Sequence, residues 1–166
     1  MLIIFTGNGK GKTTAALGQA MRALGQDKKV LMIQFIKSGW VSGEHKFAEK
    51  FQIIPAGKGF IGIYGDKLPF SVHKKAAQNA LNLAKKAIKN KKWDLIILDE
   101  INVAVSLKLI KASEILKILK SASVDVILTG RSAPKSFIQK ADLVTETKEI
   151  KHPFKKGQVA KKGIEF

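Results

Sequence analysis

The chain has 166 residues, enough to bury a core of its own, and it contains no cysteine. That excludes a disulfide framework, thiol chemistry and cysteine-based metal sites, and no run of about twenty apolar residues offers a membrane span. The formal charge is +17, but of the thirty basic residues only Arg22 and Arg131 are arginines, so a solvated lysine surface with salt-sensitive, non-specific attraction to polyanions is expected rather than bidentate nucleic-acid recognition.

Leu2-Ile3-Ile4-Phe5 reads as the first strand. No basic leader precedes it, so it is not expected to be a signal peptide, and a cytoplasmic location is expected. The strand runs into Thr6-Gly7-Asn8-Gly9-Lys10-Gly11-Lys12-Thr13-Thr14, and a helical run follows to Leu24. Strand, glycine loop, Gly-Lys-Thr and helix together form the layout of a phosphate-binding P-loop. Glycines at 7, 9 and 11 let the backbone turn its N–H groups toward anionic oxygens. The helix starting near Lys12 adds unpaired N–H groups and the positive end of its dipole. Lys12 supplies a full charge, and the Thr13 hydroxyl is placed to reach magnesium. One position departs from G-x-x-x-x-G-K-T: the first glycine falls on Thr6.

Val30 to Phe35 reads as a buried strand and Phe51 to Pro55 as a weaker one. Lys37 to Glu44 is loop chemistry, with a short helix expected from Glu44 to Lys50. Trp40 in that loop reads either as a lid on the core or as an aromatic wall of a ligand site. Ala56 to Leu68 carries glycines at 57, 59, 62 and 65 around Phe60 and Tyr64, and a loop of this length suggests a ligand-facing role. From Pro69 to Lys91 the pattern predicts an amphipathic helix with a first-turn proline. Its apolar stripe is Val72, Ala76, Ala80, Leu83, Ala84, Ala87 and Ile88, and its lysines face away.

Asp94 to Glu100 describes a buried strand that delivers Asp99 and Glu100 at its carboxyl end, where ligands sit in an open α/β sheet. Paired with the P-loop, these acids read as the magnesium-holding Walker-B element. Ser113 to Ala122 is a short helix with Ser113 as its expected cap. Val124 to Leu128 is the fifth strand and empties into Thr129-Gly130-Arg131. An arginine at the ligand edge of so lysine-rich a chain suggests geometry that lysine cannot supply. A helix from Ala133 to Lys140 and a strand from Leu143 to Glu146 follow. His152, in a tail without periodicity, has no partner at zinc-ligand spacing. The alternation predicts a single α/β domain over residues 1–166, a mostly parallel sheet of five or six strands with helices on both faces.

These residues resemble a known family, the P-loop type of ATP:corrinoid adenosyltransferase. The resemblance spans nearly the whole chain. It is carried by the loop from Thr6 to Thr14, Gln34-Phe35-Ile36-Lys37 with Trp40 and Gly43-Glu44, and Leu98-Asp99-Glu100-Ile101-Asn102. Thr129-Gly130-Arg131, Lys151-His152-Pro153-Phe154 and Lys162-Gly163-Ile164-Glu165-Phe166 complete it. Threonine at position 6 is the family's own form of the loop. The resemblance implies a RecA-like fold, a homodimer, and transfer of the 5′-deoxyadenosyl group of ATP to the cobalt of a reduced corrinoid with release of triphosphate. It further implies that Gly7, Asn8, Gly9, Lys10, Gly11, Lys12, Thr13 and Thr14 grip the triphosphate, reversed relative to ordinary P-loop enzymes. Lys10 and Lys12 neutralise it, Lys12 and Glu100 act in catalysis, and Thr13, Asp99 and Glu100 hold magnesium. Arg131 and His152 are candidates for the nucleoside end, and Phe60, Trp40 and Tyr64 for the corrinoid.

Two features differ from the family's pattern. Its usual Gly-x-Gly-Phe-Thr-Trp becomes Gly57-Lys58-Gly59-Phe60-Ile61-Gly62, which keeps the phenylalanine and lacks the tryptophan. Many members carry a helical segment ahead of the first strand, whereas this sequence opens on it. Two other readings stay open on the sequence: a RecA-like ATPase acting on nucleic acid, and a non-catalytic binder of ATP or corrinoid.

Overall fold

The computed structural model describes residues 1–38, 42–47, 51–63, 65–153, 157 and 159–164. Trp40 and Tyr64 lie outside the described residues. Six strands, β1 (Leu2–Thr6), β2 (Val30–Gln34), β3 (Gln52–Pro55), β4 (Leu95–Asp99), β5 (Asp125–Thr129) and β6 (Leu143–Glu146), form one sheet in the order β3-β2-β4-β5-β1-β6. Every pairing is parallel. The expected mostly parallel α/β sheet is therefore present. β5 lies between the strand that feeds the phosphate loop and the strand that ends in the acids.

Parallel strands are covered on both faces, so their residues alternate between two apolar layers. Ile3, Val30, Met32, Leu95, Ile97 and Ile127 pack with Ala16 and Ala20 of α1 (Lys12–Leu24). Ile4, Leu31, Ile33, Ile96, Leu98, Val126 and Leu128 pack on the opposite face. There they meet α2 (Phe70–Lys89), α3 (Ile101–Ser106), α4 (Ala112–Leu119) and α5 (Lys135–Ile138). β6 is the exception. All four of its residues are exposed, as an edge strand paired only with β1 among the described elements leaves them.

Several sequence expectations need correction. The buried side of α2 is centred on His73, Ala77, Leu81 and Ala84, with Ala76, Ala80, Ala87 and Ile88 beside them, whereas Leu83 is exposed. At 100° per residue, the 77/81/84/88 row points at the sheet and swings 83 to its margin. Pro69 caps α2 rather than occupying its first turn. Ser113 does not cap α4. Lys111 occupies that place, and its N–H donates to Glu114 Oε2 at 3.2 Å. The helix expected from Glu44 is a 3-10 turn over Gly43–Phe47. α3, six residues directly after the acidic pair, was not anticipated.

Candidate active site

The parallel sheet brings the phosphate loop, Asp99 and the end of β5 to one edge. Gly11 precedes α1 in the left-handed region at φ 110°, and no side chain caps the helix. The amides of its first turn are therefore left to face an anion. Lys12 is buried, and its ammonium donates to the Gly9 carbonyl. Burial holds Lys12 below the usual ammonium range; Glu100 opposes this and Arg131 adds to it.

Two details revise the sequence reading of the loop. The Gly9 N–H is not turned toward the anion site; it donates to the Thr147 carbonyl at 2.8 Å. Thr147 N–H in turn donates to the Thr6 carbonyl, and its hydroxyl to the carbonyls of Thr6 and Gly9. The loop is thus welded to the chain leaving β6. A Cβ on Gly9 would sit 2.7 Å from the Lys148 carbonyl oxygen, so this glycine serves close approach rather than anion binding. The second detail explains the missing first glycine: the Thr6 hydroxyl accepts the Ala133 N–H at 3.2 Å, tying the loop to the segment after β5.

Asp99 is fully buried and fully engaged. Thr13 and Thr129 donate to its Oδ1 at 2.9 and 2.6 Å, and Gln34 approaches Oδ2 at 3.4 Å. Thr129 also accepts the Glu100 N–H at 2.9 Å, so one hydroxyl positions both acids. Glu100 adopts φ 58°, a strained conformation for a residue with a side chain, and caps α3. Gly130 packs closely against this turn, where a Cβ would lie 3.0 Å from Glu100 Oε2 and 3.1 Å from the Val103 N. Burial, and next the Asp99 carboxylate, push the Glu100 carboxyl up to about 7, against the pull of Lys12, Lys37 and Arg131.

A second layer continues from Asp99 across β2. The His45 ring accepts the Ser42 N–H on Nδ1, which leaves Nε2 to donate to Gln34 Oε1 at 2.8 Å. Gln34 Nε2 then turns toward Glu44 and Asp99, and Lys37 pairs with Glu44 at 2.7 Å. Motif reading had quoted Gln34, Lys37, Glu44 and Thr129 without giving any of them a task, and it had passed over His45. The links that join them to one another and to Asp99 span 7 to 65 residues, a range that local spacing does not reveal.

The oxygen donors suit a hard divalent cation. Thr13 and Asp99 are joined by a hydrogen bond, and Glu100, raised first by burial and next by Asp99, stands beside them. Among the described residues no group of three or more His, Asp or Glu side chains forms a closed metal cage. A magnesium ion here would take its remaining ligands from phosphate and water.

Of the nucleoside candidates, Arg131 lies beside the phosphate loop and His152 is in the tail. Asn8, Arg131, Glu146, Thr147, Lys148 and Glu149 line a cavity of about 520 Å³ beside the phosphate loop. His152 is half-buried in the tail and is not among these residues. Asn8 and Lys10 of the loop and Thr14 of α1 are exposed, and Lys10 donates to the Ile164 carbonyl at 2.6 Å. Phe60 is exposed on the loop after β3.

The chain is similar to known proteins. The family model for ATP:corrinoid adenosyltransferase BtuR/CobO/CobP matches residues 1–166. A corrinoid adenosyltransferase from Sinorhizobium sp is 36% identical over 174 residues, covering 100% of this chain and 80% of that protein. Among solved structures, the flagellar accessory protein FlaH from Methanocaldococcus jannaschii superimposes with a TM-score of 0.54 at 15% identity, over 87% of this chain and 70% of that one. The RadB recombinase does so with a TM-score of 0.52 at 15% identity, over 91% of this chain and 76% of that one. At such identity these two likenesses show the RecA-like fold alone.

Proposed function

The chain belongs to the ATP:corrinoid adenosyltransferase family, and from that membership we propose how its residues carry out the transfer of the 5′-deoxyadenosyl group from ATP to a reduced corrinoid. Cobalt(I) of the corrinoid supplies the electron pair that forms the cobalt–carbon bond. The bond from C5′ to the triphosphate oxygen breaks, and triphosphate leaves with the electron pair of that broken C–O bond. No protein nucleophile is required, so the enzyme's part is alignment and stabilisation of the leaving charge.

The observation that carries this reading is the uncapped start of α1 with buried Lys12 inside it, facing Asp99 and Glu100 across the sheet edge. Lys12 and the amides of Thr13 and Thr14 bind the triphosphate, and exposed Lys10 adds charge once it exchanges the Ile164 carbonyl for phosphate. Thr13, Asp99 and Glu100 would hold magnesium, whose charge would offset that of the phosphates. Thr129 and Gln34 keep Asp99 oriented. Arg131 addresses the nucleoside end, and Phe60 faces the corrinoid. A homodimer in the cytoplasm is the expected setting.

The test is an anaerobic assay with ATP, magnesium and chemically reduced cobalamin. Formation of the cobalt–carbon chromophore with one triphosphate per turnover supports the proposal. Release of ADP and phosphate, stimulated by DNA or RNA, would instead support a nucleic-acid ATPase. Binding of both ligands without the chromophore would make the chain a carrier.

A further inference from the structure

The loop between β3 and α2 leaves the same sheet edge as Asp99, two strands away, because β3, β2 and β4 are adjacent and parallel. It presents Phe60, Ile63 and Leu68 to solvent, joined by Phe70 at the first residue of α2, each between 44% and 53% exposed, while Ile61 packs against the core. So many large apolar side chains within eleven residues form a patch that calls for a ligand. Yet the loop is glycine-rich, with positive φ at Gly59, Gly62 and Gly65, and nothing in that composition would hold the patch still.

The structure supplies two anchors. At the start, the Gly57 and Gly59 amides donate to the carbonyls of Lys37 and Ile36 at 3.2 and 2.8 Å. At the far end, three N–H groups converge on one carboxylate. Gly62 N–H donates to Asp66 Oδ2 and Leu68 N–H to Oδ1, both at 3.0 Å. His73 Nε2 reaches both oxygens, at 3.1 and 3.2 Å. His73 is buried on α2 beside Ala76 and Ala77, so it fastens this hub to the sheet-packed helix. Three donors need two full acceptor oxygens. An amide in place of the carboxylate would turn a donor toward a donor.

We propose that Asp66 and His73 are positioning residues for the corrinoid: they fix the Phe60–Phe70 apolar loop as a preformed platform beside the phosphate edge. This rests on the corrinoid reading given above. A preformed platform lowers the ordering cost of binding, so its loss raises the corrinoid KM and leaves the ATP site alone.

The experiment compares wild type, Asp66→Asn, His73→Leu and His73→Gln in the anaerobic cobalamin assay, with hydrogen exchange at the Gly62 and Leu68 amides and thermal melts. For Asp66→Asn and His73→Leu the expected result is a corrinoid KM raised roughly tenfold. The ATP KM stays unchanged, and the two amides exchange faster. His73→Gln, which keeps an N–H donor, is expected to restore the wild-type corrinoid KM. An unchanged corrinoid KM in both disruptive variants overturns the proposal, as does a parallel rise in the ATP KM with a lowered melt, which would make the pair merely structural. Inactivity of the wild type itself would instead strike the functional reading, and faster exchange at the two amides would still uphold the lock.

Discussion

Two glycine-rich loops leave the carboxyl edge of this sheet, and they are built in opposite ways. The loop after β1 offers backbone amides and lysine, and one residue of the neighbouring chain segment holds it: Thr147 closes it with its own N–H and carbonyl, and with its hydroxyl, onto Thr6 and Gly9. The loop after β3 offers apolar side chains; main-chain bonds hold its start at Gly57 and Gly59, and one carboxylate, Asp66, gathers its far end. The contrast follows from the ligands. An anion is bound by amides, so the backbone must be held by a neighbouring backbone that keeps those amides oriented. An apolar face is bound by side chains, so the backbone can be gathered onto a side-chain hub.

The harshest way to break the comparison is to add one methyl group to each loop. A Cβ at Gly7 would collide with the Thr147 carbonyl at φ 100°, and one at Gly57 would collide with the Ile36 carbonyl. Both obstacles are main chain and cannot rotate aside. Each of Gly7→Ala and Gly57→Ala should therefore cost about 3 kcal/mol or more in urea unfolding, from overpacking and, at Gly7, backbone strain. The functional losses should separate: ATP binding falls in the first variant, corrinoid binding in the second. If both variants lose both ligands equally, the loops are one unit and the comparison fails.

The acids of the two regions should respond to pH with opposite sign. Glu100 is raised from 4.5 to about 7, first by burial and then by Asp99. Between those values the folded chain keeps a proton that the unfolded chain has lost, so stability falls as pH rises through that window. The loss is on the order of 3 kcal/mol. Urea titrations of the ligand-free protein from pH 4.5 to 8 should show this slope, and Glu100→Gln should flatten it. Asp66 is lowered, chiefly by the Gly62 and Leu68 amides. Its contribution is complete above the ordinary carboxylate range and is lost as pH falls below it, which hydrogen exchange at those amides can follow.

The same contrast explains what the sequence made legible. β1, the Gly-Lys-Thr step and α1 are contiguous, and β4 with its acids is a single run, so periodicity and motif chemistry reached them. The parallel sheet followed from the alternation of such runs. Thr129 escaped assignment because its bond to Asp99 spans 30 residues, and Asp66 with His73 because neither belongs to a motif. α3 was missed because Ile101-Asn102-Val103-Ala104-Val105-Ser106 is a single β-branched-rich turn and a half with no periodicity to read. The strand at β6 was found, but its exposure was not, since position at a sheet edge is a property of topology.

Lys12→Ala sharpens the phosphate side alone. A charge-assisted phosphate contact contributes roughly 1.5–3 kcal/mol, so ATP affinity in calorimetry should fall about ten- to a hundredfold. The fold should hold, because what the buried ammonium contributes in the free protein is a bond to the Gly9 carbonyl, a group already served by Thr147. Corrinoid affinity should not change. Unchanged ATP affinity would remove Lys12 from the anion site.

The smallest effect tests what kind of platform the second loop offers. Phe60 is 44% exposed, so shortening it removes little that the fold depends on. Phe60→Leu keeps most of the apolar area but loses the ring. An aromatic stacking contact contributes about 0.5–1.5 kcal/mol beyond area burial, so the corrinoid KM should rise roughly two- to tenfold if the ring itself packs on the corrinoid. If Phe60 contributes only apolar area, shared with Ile63, Phe60→Leu should be silent and Phe60→Ser should not. The two outcomes separate a stacked face from a greasy one. Where the family's usual tryptophan is replaced by Gly62, that distinction decides how much of the corrinoid contact the Phe60 ring carries.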